Sequence, residues 1–168
     1  VVKASHPMIQ YVGRVSFAKN PDVARFNYPG TTIEASFQGS SLKMLCRPKT
    51  GYFMAQIDGC EPFKVGFNAE RDSVVTLAAA LPKGVHHAKV MYVIEGLFRK
   101  PEFRGFVLDK GCQLVEAPAL PERKIEFIGN SITCGYGVES INMSDPFEDE
   151  TEHHWLTYAN IVSDSLKA

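Results

Sequence analysis

Short β-forming runs separated by turn residues fill residues 1–117, and this pattern constrains the fold most strongly. The runs are rich in β-branched and aromatic residues and show no sustained helical period, which is typical of a β-sandwich. The Asp58-Gly59 pair between two runs predicts a tight hairpin. The predicted strands begin near Gln10, Thr32, Leu42, Tyr52, Glu61, Ser73, His87, Phe103 and Cys112. Residues 1–117 are therefore predicted to form a jelly-roll-like β-sandwich.

Two prolines mark the end of this pattern. Pro118 and Pro121 resist both helix and central strand, so residues 118–122 are predicted to be a linker. The apolar run from Ile125 to Ile128 then predicts a short buried strand. Open α/β sheets bind ligands at the carboxyl ends of their strands. Ser131 follows this predicted strand, so it is well placed to act as a nucleophile.

The residues around Ser131 resemble a known family. Residues 127–133 are similar to the first conserved block of the SGNH (GDSL-type) hydrolases, and residues 134–137 continue it as in the two-domain acetyl esterases of carbohydrate esterase family two. This resemblance implies that Ser131 is the nucleophile and that its backbone N–H is one oxyanion donor. It also implies that Asn130 shapes the loop and that Gly129 allows close backbone approach.

The resemblance extends into the predicted sandwich. Residues 30–33, 37–42, 84–95 and 105–109 are similar to the jelly-roll N-terminal domain of that family. The implied fold is mainly β, with a jelly-roll-like sandwich followed by the first strand, loop and helix of an α/β SGNH-hydrolase domain, which residues 123–168 begin. Because one strand and one helix cannot complete such a domain, we expect a longer enzyme and an inactive isolated chain. The catalytic histidine and the remaining oxyanion donors are expected outside these residues.

The region after Ser131 carries a polar loop and a helical pattern. Apolar residues recur at three- and four-residue spacings from His154 to Lys167, which predicts an amphipathic helix with Glu150 and Glu152 near its positive end. His153 and His154 are interpreted as solvated residues at the start of this helix. The acidic residues 148–150 are interpreted as a solvated turn, with a calcium ligand as the alternative.

Other candidate residues receive structural interpretations. His86 and His87 border a sandwich strand and are expected to be structural. The scattered cysteines lack a C-x-x-C pair, so we expect no zinc site and mostly buried free thiols. Aromatic residues of a sandwich are usually core, yet some stack on sugar rings. The candidates for such stacking are Tyr11, Tyr28, Tyr52, Phe53 and Tyr92.

Composition excludes some partners. A net charge of −1 argues against a nucleic-acid surface, and no apolar run is long enough to span a bilayer. The family resemblance implies a serine esterase that removes acetyl groups from polysaccharides such as xylan or glucomannan, needs no metal or organic cofactor, and works in a secreted, periplasmic or cell-surface bacterial setting. Two alternatives stay open. They are a non-catalytic carbohydrate-binding sandwich and a GDSL-type esterase or lipase acting on other acyl esters.

Overall fold

Two antiparallel sheets dominate the computed structural model, which describes residues 1–71 and 73–168. The strands are β1 (Val2–Lys3), β2 (Gln10–Val12), β3 (Ala24–Arg25), β4 (Thr32–Gly39), β5 (Leu42–Cys46), β6 (Gly51–Ile57), β7 (Phe63–Phe67), β8 (Val74–Ala78), β9 (Gly84–Tyr92), β10 (Glu102–Leu108) and β11 (Leu114–Val115). The first sheet has the order β1-β10-β5-β8, with β3 also paired to β10. The second has the order β11-β4-β9-β6-β7, with β2 also paired to β4.

The core lies between the sheets and follows from strand alternation. Along β6, Phe53, Ala55 and Ile57 are buried while the residues between them are half-exposed, as expected when one face of a strand packs inward. Tyr11 of the second sheet contacts Phe103 of the first at a centroid distance of 6.4 Å. This contact between side chains of the two sheets confirms the predicted β-sandwich.

The hairpin between β6 and β7 has the predicted turn. Asp58 and Gly59 both have positive φ, at 52° and 69°, and the Cys60 N–H donates to the Ile57 carbonyl at 2.9 Å. Two consecutive left-handed residues make a turn whose twist matches that of the flanking strands, and an Asp-Gly pair adopts it readily. The sequence prediction is confirmed at this position.

The segment after the sandwich contains two helices and two 3-10 turns. The helices are α1 (Ser131–Cys134) and α2 (Tyr158–Leu166), and the 3-10 turns are Asp149–Thr151 and His154–Leu156. Two interactions hold the start of this segment: Arg14 pairs with Glu126 at 2.6 Å, and the Phe127 ring contacts Tyr158 at a centroid distance of 5.9 Å.

Two details of the predicted C-terminal part are wrong. The strand predicted at Ile125–Ile128 is not formed, because a strand exists through its pairing and no described strand pairs with these residues. The predicted helix begins at Tyr158 rather than His154, because Thr157 adopts extended dihedrals (φ −84°, ψ 163°) that separate the 3-10 turn from α2. Within the described residues, no helix has the length and apolar character that crossing a bilayer requires.

Candidate active site

Ser131 is the first residue of α1 and is exposed to solvent. Asn130 caps the helix, since its side-chain oxygen accepts the Ile132 N–H at 3.0 Å. In the described part of the chain, no group hydrogen-bonds the Ser131 hydroxyl or its N–H. Both groups predicted to act in catalysis are therefore available to a ligand.

The two glycines around α1 allow close approach of other groups. Gly129 faces the buried Thr133, and a Cβ at this position would overlap the Thr133 hydroxyl. Gly135 ends α1 in the left-handed region with φ 89°, and a Cβ there would lie 2.6 Å from the His153 carbonyl oxygen. The predicted close approach at Gly129 therefore exists, although its neighbour is a side chain rather than backbone.

His154 connects the part of the chain that carries Ser131 (residues 123–168, the serine segment) to the sandwich. Its Nδ1–H donates to the Thr133 carbonyl at 2.8 Å, because a carbonyl oxygen can only accept. Its backbone N–H donates to the Val93 carbonyl at 2.9 Å, and a Cβ at Gly30 would lie 2.9 Å from its Nε2. Burial lowers the pKa of His154, so the ring is neutral at physiological pH.

His153 lies directly behind α1. Its side chain is 2% exposed, and its backbone N–H donates to the Gly135 carbonyl at 3.1 Å. Burial is the main cause of its lowered pKa, with a further contribution from the Lys64 ammonium. The prediction that His153 and His154 are solvated at a helix start is wrong, because the chain at these residues packs between Gly135 and the sandwich.

A buried carboxyl group lies next to His153 and His154 in the sequence. Glu152 is fully buried, and its Oε1 accepts the Glu95 backbone N–H at 3.1 Å. Burial raises its pKa to about 7, and the neighbouring Glu95 carboxylate adds to this effect. The expected favourable placement of Glu152 at the α2 N-terminus is also wrong, because its carboxylate bonds to the sandwich instead.

Glu152 forms a compact group with Glu95 and Cys134. One possible ligand atom from each residue lies within 4.8 Å of the other two. Among the described residues, these three side chains are the group close enough together to contact a single cation. Burial, followed by the Glu95 carboxylate, raises the pKa of the Cys134 thiol to about 12. Without a cation, burial therefore favours the protonated forms of Cys134 and Glu152.

Ion pairs complete the contact at the edges of the serine segment. Lys64 of β7 pairs with Glu139 and donates to the Glu150 carbonyl at 2.6 Å. Arg99 pairs with Asp149, which is half-buried, so the acidic run is not uniformly solvated. These interactions fix the segment carrying Ser131 against one edge of the sandwich.

The structure separates the other candidate residues from Ser131. His87 contacts Ser36 at 3.2 Å and Glu34 at 3.1 Å, while His86 contacts Asp58 at 2.6 Å, in agreement with structural roles. No imidazole in the described part of the chain hydrogen-bonds the Ser131 hydroxyl.

The aromatic and cysteine predictions hold in part. Phe53 and Tyr92 are fully buried and cannot stack on a sugar, whereas Tyr28 is 57% exposed. Phe98, which is 92% exposed in a loop beside Arg99, was not predicted from the sequence, because its exposure depends on tertiary contacts of that loop. The four cysteines are free, as predicted, but the prediction that they are mostly buried is wrong, because Cys112 and Cys134 are half-buried and Cys60 is exposed.

Comparisons with known proteins agree on one family. The family model for the carbohydrate esterase 2 N-terminal domain matches residues 11–118. The cellulase/esterase CelE of Acetivibrio thermocellus is 33% identical over 166 residues, covering 97% of this chain and 20% of that protein. An acetylxylan esterase / glucomannan deacetylase of Cellvibrio japonicus is 27% identical over 172 residues, covering 99% of this chain and 46% of that protein. The chain thus spans less than half the length of these relatives.

Solved structures show the same relationship. A family two carbohydrate esterase from Clostridium thermocellum, in complex with cellohexaose, matches with a TM-score of 0.84 and 32% identity over 95% of this chain and 49% of that chain. One from Cellvibrio japonicus has a TM-score of 0.85 at 22% identity over 99% of this chain and 49% of that chain, which supports the fold alone. The predicted jelly-roll sandwich and family are therefore confirmed, and the chain belongs to the carbohydrate esterase 2 N-terminal family.

Proposed function

We propose that this chain is the N-terminal portion of an SGNH-type serine esterase that removes acetyl groups from polysaccharides such as xylan or glucomannan. The observation that carries the proposal is Ser131, exposed at the start of α1, with its hydroxyl and N–H unbonded within the described residues. Membership of the carbohydrate esterase 2 N-terminal family supports the reaction class. A Cellvibrio japonicus relative is named acetylxylan esterase / glucomannan deacetylase, which supports the substrate class.

In the proposed mechanism Ser131 Oγ attacks the acetyl carbonyl carbon. A histidine outside these 168 residues accepts the hydroxyl proton, because a serine hydroxyl is a weak nucleophile without a base. The Ser131 N–H donates to the oxyanion of the tetrahedral intermediate. The sugar hydroxyl then leaves with the proton from the histidine, and water activated by the same histidine hydrolyses the acetyl-enzyme.

The surroundings of Ser131 have positioning roles in this proposal. The Asn130 cap fixes the first turn of α1, and Gly129 lets the preceding backbone pass against Thr133. His153 and His154 hold the loop from behind, since the His153 backbone N–H donates to Gly135 and the His154 ring donates to Thr133; within the described residues neither ring hydrogen-bonds the Ser131 hydroxyl. The isolated chain is therefore proposed to be inactive. A polymeric substrate would place the enzyme outside the cell.

The test is acetate release by the protein in the length that its source produces. Acetylated xylan and glucomannan are the substrates, and Ser131→Ala is expected to lower kcat about a thousand-fold or more. Ser140→Ala, in the same segment, is the matched control and should keep activity. Wild-type activity in Ser131→Ala would contradict the mechanism. Faster hydrolysis of octanoyl than of acetyl esters would favour the lipase alternative.

A further inference from the structure

A cationic pocket lies where the sandwich meets the serine segment. Its volume is about 420 Å³, within the range of small-molecule sites. One wall comes from Arg47 and Lys49 after β5, and another comes from the loop before β10. Asp149 from the serine segment closes it, so the pocket touches the part of the chain that carries Ser131. The lining residues are Arg47, Lys49, Phe98, Arg99, Lys100 and Asp149.

The charges of this pocket do not cancel. Lys49 pairs with Glu70, and Arg99 pairs with Asp149. Arg47 donates one N–H to the Lys100 carbonyl at 3.2 Å, and neither Arg47 nor Lys100 has a carboxylate partner among the described residues. Four cations therefore line the pocket, and among the described residues two carboxylates pair with them, in a chain whose net charge is −1. An anionic group would find unused donors here.

The pocket also presents an apolar surface on a hydrogen-bonded turn. The Arg99 N–H donates to the Gly96 carbonyl at 3.1 Å, which places Leu97 and Phe98 at the corners of a hydrogen-bonded turn. The Gly96 N–H donates to the Asn27 carbonyl at 2.9 Å, and Arg99 is fixed by Asp149. Phe98 is 92% exposed on this turn, so its ring is held in solvent beside the cations.

Backbone strain is concentrated at the same place. Lys49 and Lys100 have φ of 62° and 81°, in the left-handed region that side chains other than glycine rarely adopt. Two of the five such residues in the described part of the chain thus carry pocket cations. Strain of this kind recurs at ligand-binding sites, where the surrounding structure holds it in place.

We propose that this pocket binds a uronate, the carboxylate-bearing sugar unit of an acidic acetylated glycan. Arg47 and Lys100 bind the carboxylate, because a guanidinium offers paired N–H donors that match its two oxygens. Phe98 contacts the apolar face of the pyranose ring, which a pocket for inorganic anions would not need. The inference rests on the proposed function and narrows it to polysaccharides that carry acidic side groups.

The test measures binding rather than acetate release. Calorimetric titration compares a xylooligosaccharide carrying glucuronate with the neutral oligosaccharide of the same length, using the protein in the length that its source produces. We expect at least about ten-fold tighter binding of the acidic sugar, which is the size of one or two charge-assisted hydrogen bonds. Arg47→Gln combined with Lys100→Ala should remove this difference. Lys110→Ala, an exposed lysine on another turn, should retain it.

Each outcome decides the proposal. Phe98→Ala should weaken binding of the acidic sugar while its circular dichroism spectrum stays that of the wild type. Equal affinity for the acidic and the neutral sugar would overturn the inference, and so would equally strong binding of sulfate, which would indicate a general anion surface. Preferential uronate binding by a protein that releases no acetate would leave the pocket assigned and contradict the esterase. Acetate release without uronate preference would contradict the pocket alone.

Discussion

The Glu152 carboxylate accepts the backbone N–H of Glu95 at 3.1 Å, across the contact between the sandwich and the segment that carries Ser131. Its second oxygen is buried and has no hydrogen-bond partner within the described residues. A carboxyl group in this setting favours its neutral form, because ionisation would place a charge where water cannot reach it. Burial therefore favours the protonated form of Glu152 at this contact, which other hydrogen bonds and ion pairs also hold.

Glu152→Gln is expected to flatten the pH dependence of stability. The pKa of Glu152 rises from 4.5 to about 7 in the folded chain, so the folded state holds a proton that the unfolded state has lost. The stability from this group is present below about pH 4.5 and is lost as pH rises through 7. Between pH 5 and 8 the variant should gain on the wild type by on the order of 2–3 kcal/mol in free energy of unfolding, measured by urea titration.

Glu148→Gln is the control for this comparison, since Glu148 lies in the same segment and is exposed. Its free energy of unfolding should follow the wild-type pH profile. If Glu152→Gln also follows that profile from pH 5 to 8, the buried carboxyl group does not hold the proton that its surroundings favour.

His154 should show the opposite pH dependence. Burial lowers its pKa, so the folded ring stays neutral where an unfolded histidine, with a pKa of about 6.5, becomes protonated. Stability is therefore lost as pH falls below that value, because the unfolded state binds a proton that burial disfavours in the folded ring. Titration of the ring protons by NMR, with the His154 signal assigned by its loss in His154→Gln, should give a midpoint below 6.5. A midpoint at or above 6.5 would show that the ring is not buried as described.

The sequence predicted the sandwich better than the region behind Ser131. β5 (Leu42–Cys46) begins at the predicted residue, and the Asp58-Gly59 turn forms, because strand alternation and turn chemistry are local properties. The burial of Glu152 and His153 was missed, since charge suggests a solvated loop and their burial depends on tertiary contacts with Glu95 and Gly135.

Phe98 was missed for a related reason. Its exposure depends on a turn held by Asn27 and Asp149, which are distant from it in the sequence. The prediction of a strand at Ile125–Ile128 was wrong for a different reason. The apolar pattern favours a strand, but a strand also needs a neighbouring strand to pair with. Local sequence patterns thus predicted the strands and the turn of the sandwich. The surroundings of the candidate site depend on contacts between residues distant in the sequence, which such patterns do not predict.

Gly129→Ala is expected to disturb the loop before Ser131. The new methyl group would overlap the hydroxyl of Thr133, which is buried and hydrogen-bonds to the Tyr158 hydroxyl at 2.8 Å. Overpacking of this kind costs about 1–3 kcal/mol, to be measured as a loss in free energy of unfolding. Gly84→Ala is the control, because the His86 Nε2 atom at 3.9 Å is the nearest described neighbour of its added Cβ. Equal effects of the two substitutions would contradict the close packing at Gly129.

Ser131→Ala and Asn130→Ala should separate function from structure at adjacent positions. Ser131 is exposed and its hydroxyl has no partner among the described residues, so its removal should change the free energy of unfolding by less than about 0.5 kcal/mol. Asn130 caps α1 through the Ile132 N–H, and loss of a cap costs about 1 kcal/mol. Asn130→Ser keeps a capping oxygen and should recover most of that loss. A larger destabilisation by Ser131→Ala than by Asn130→Ala in urea titration would show that Ser131 serves the fold, and the nucleophile proposal would lose its structural support.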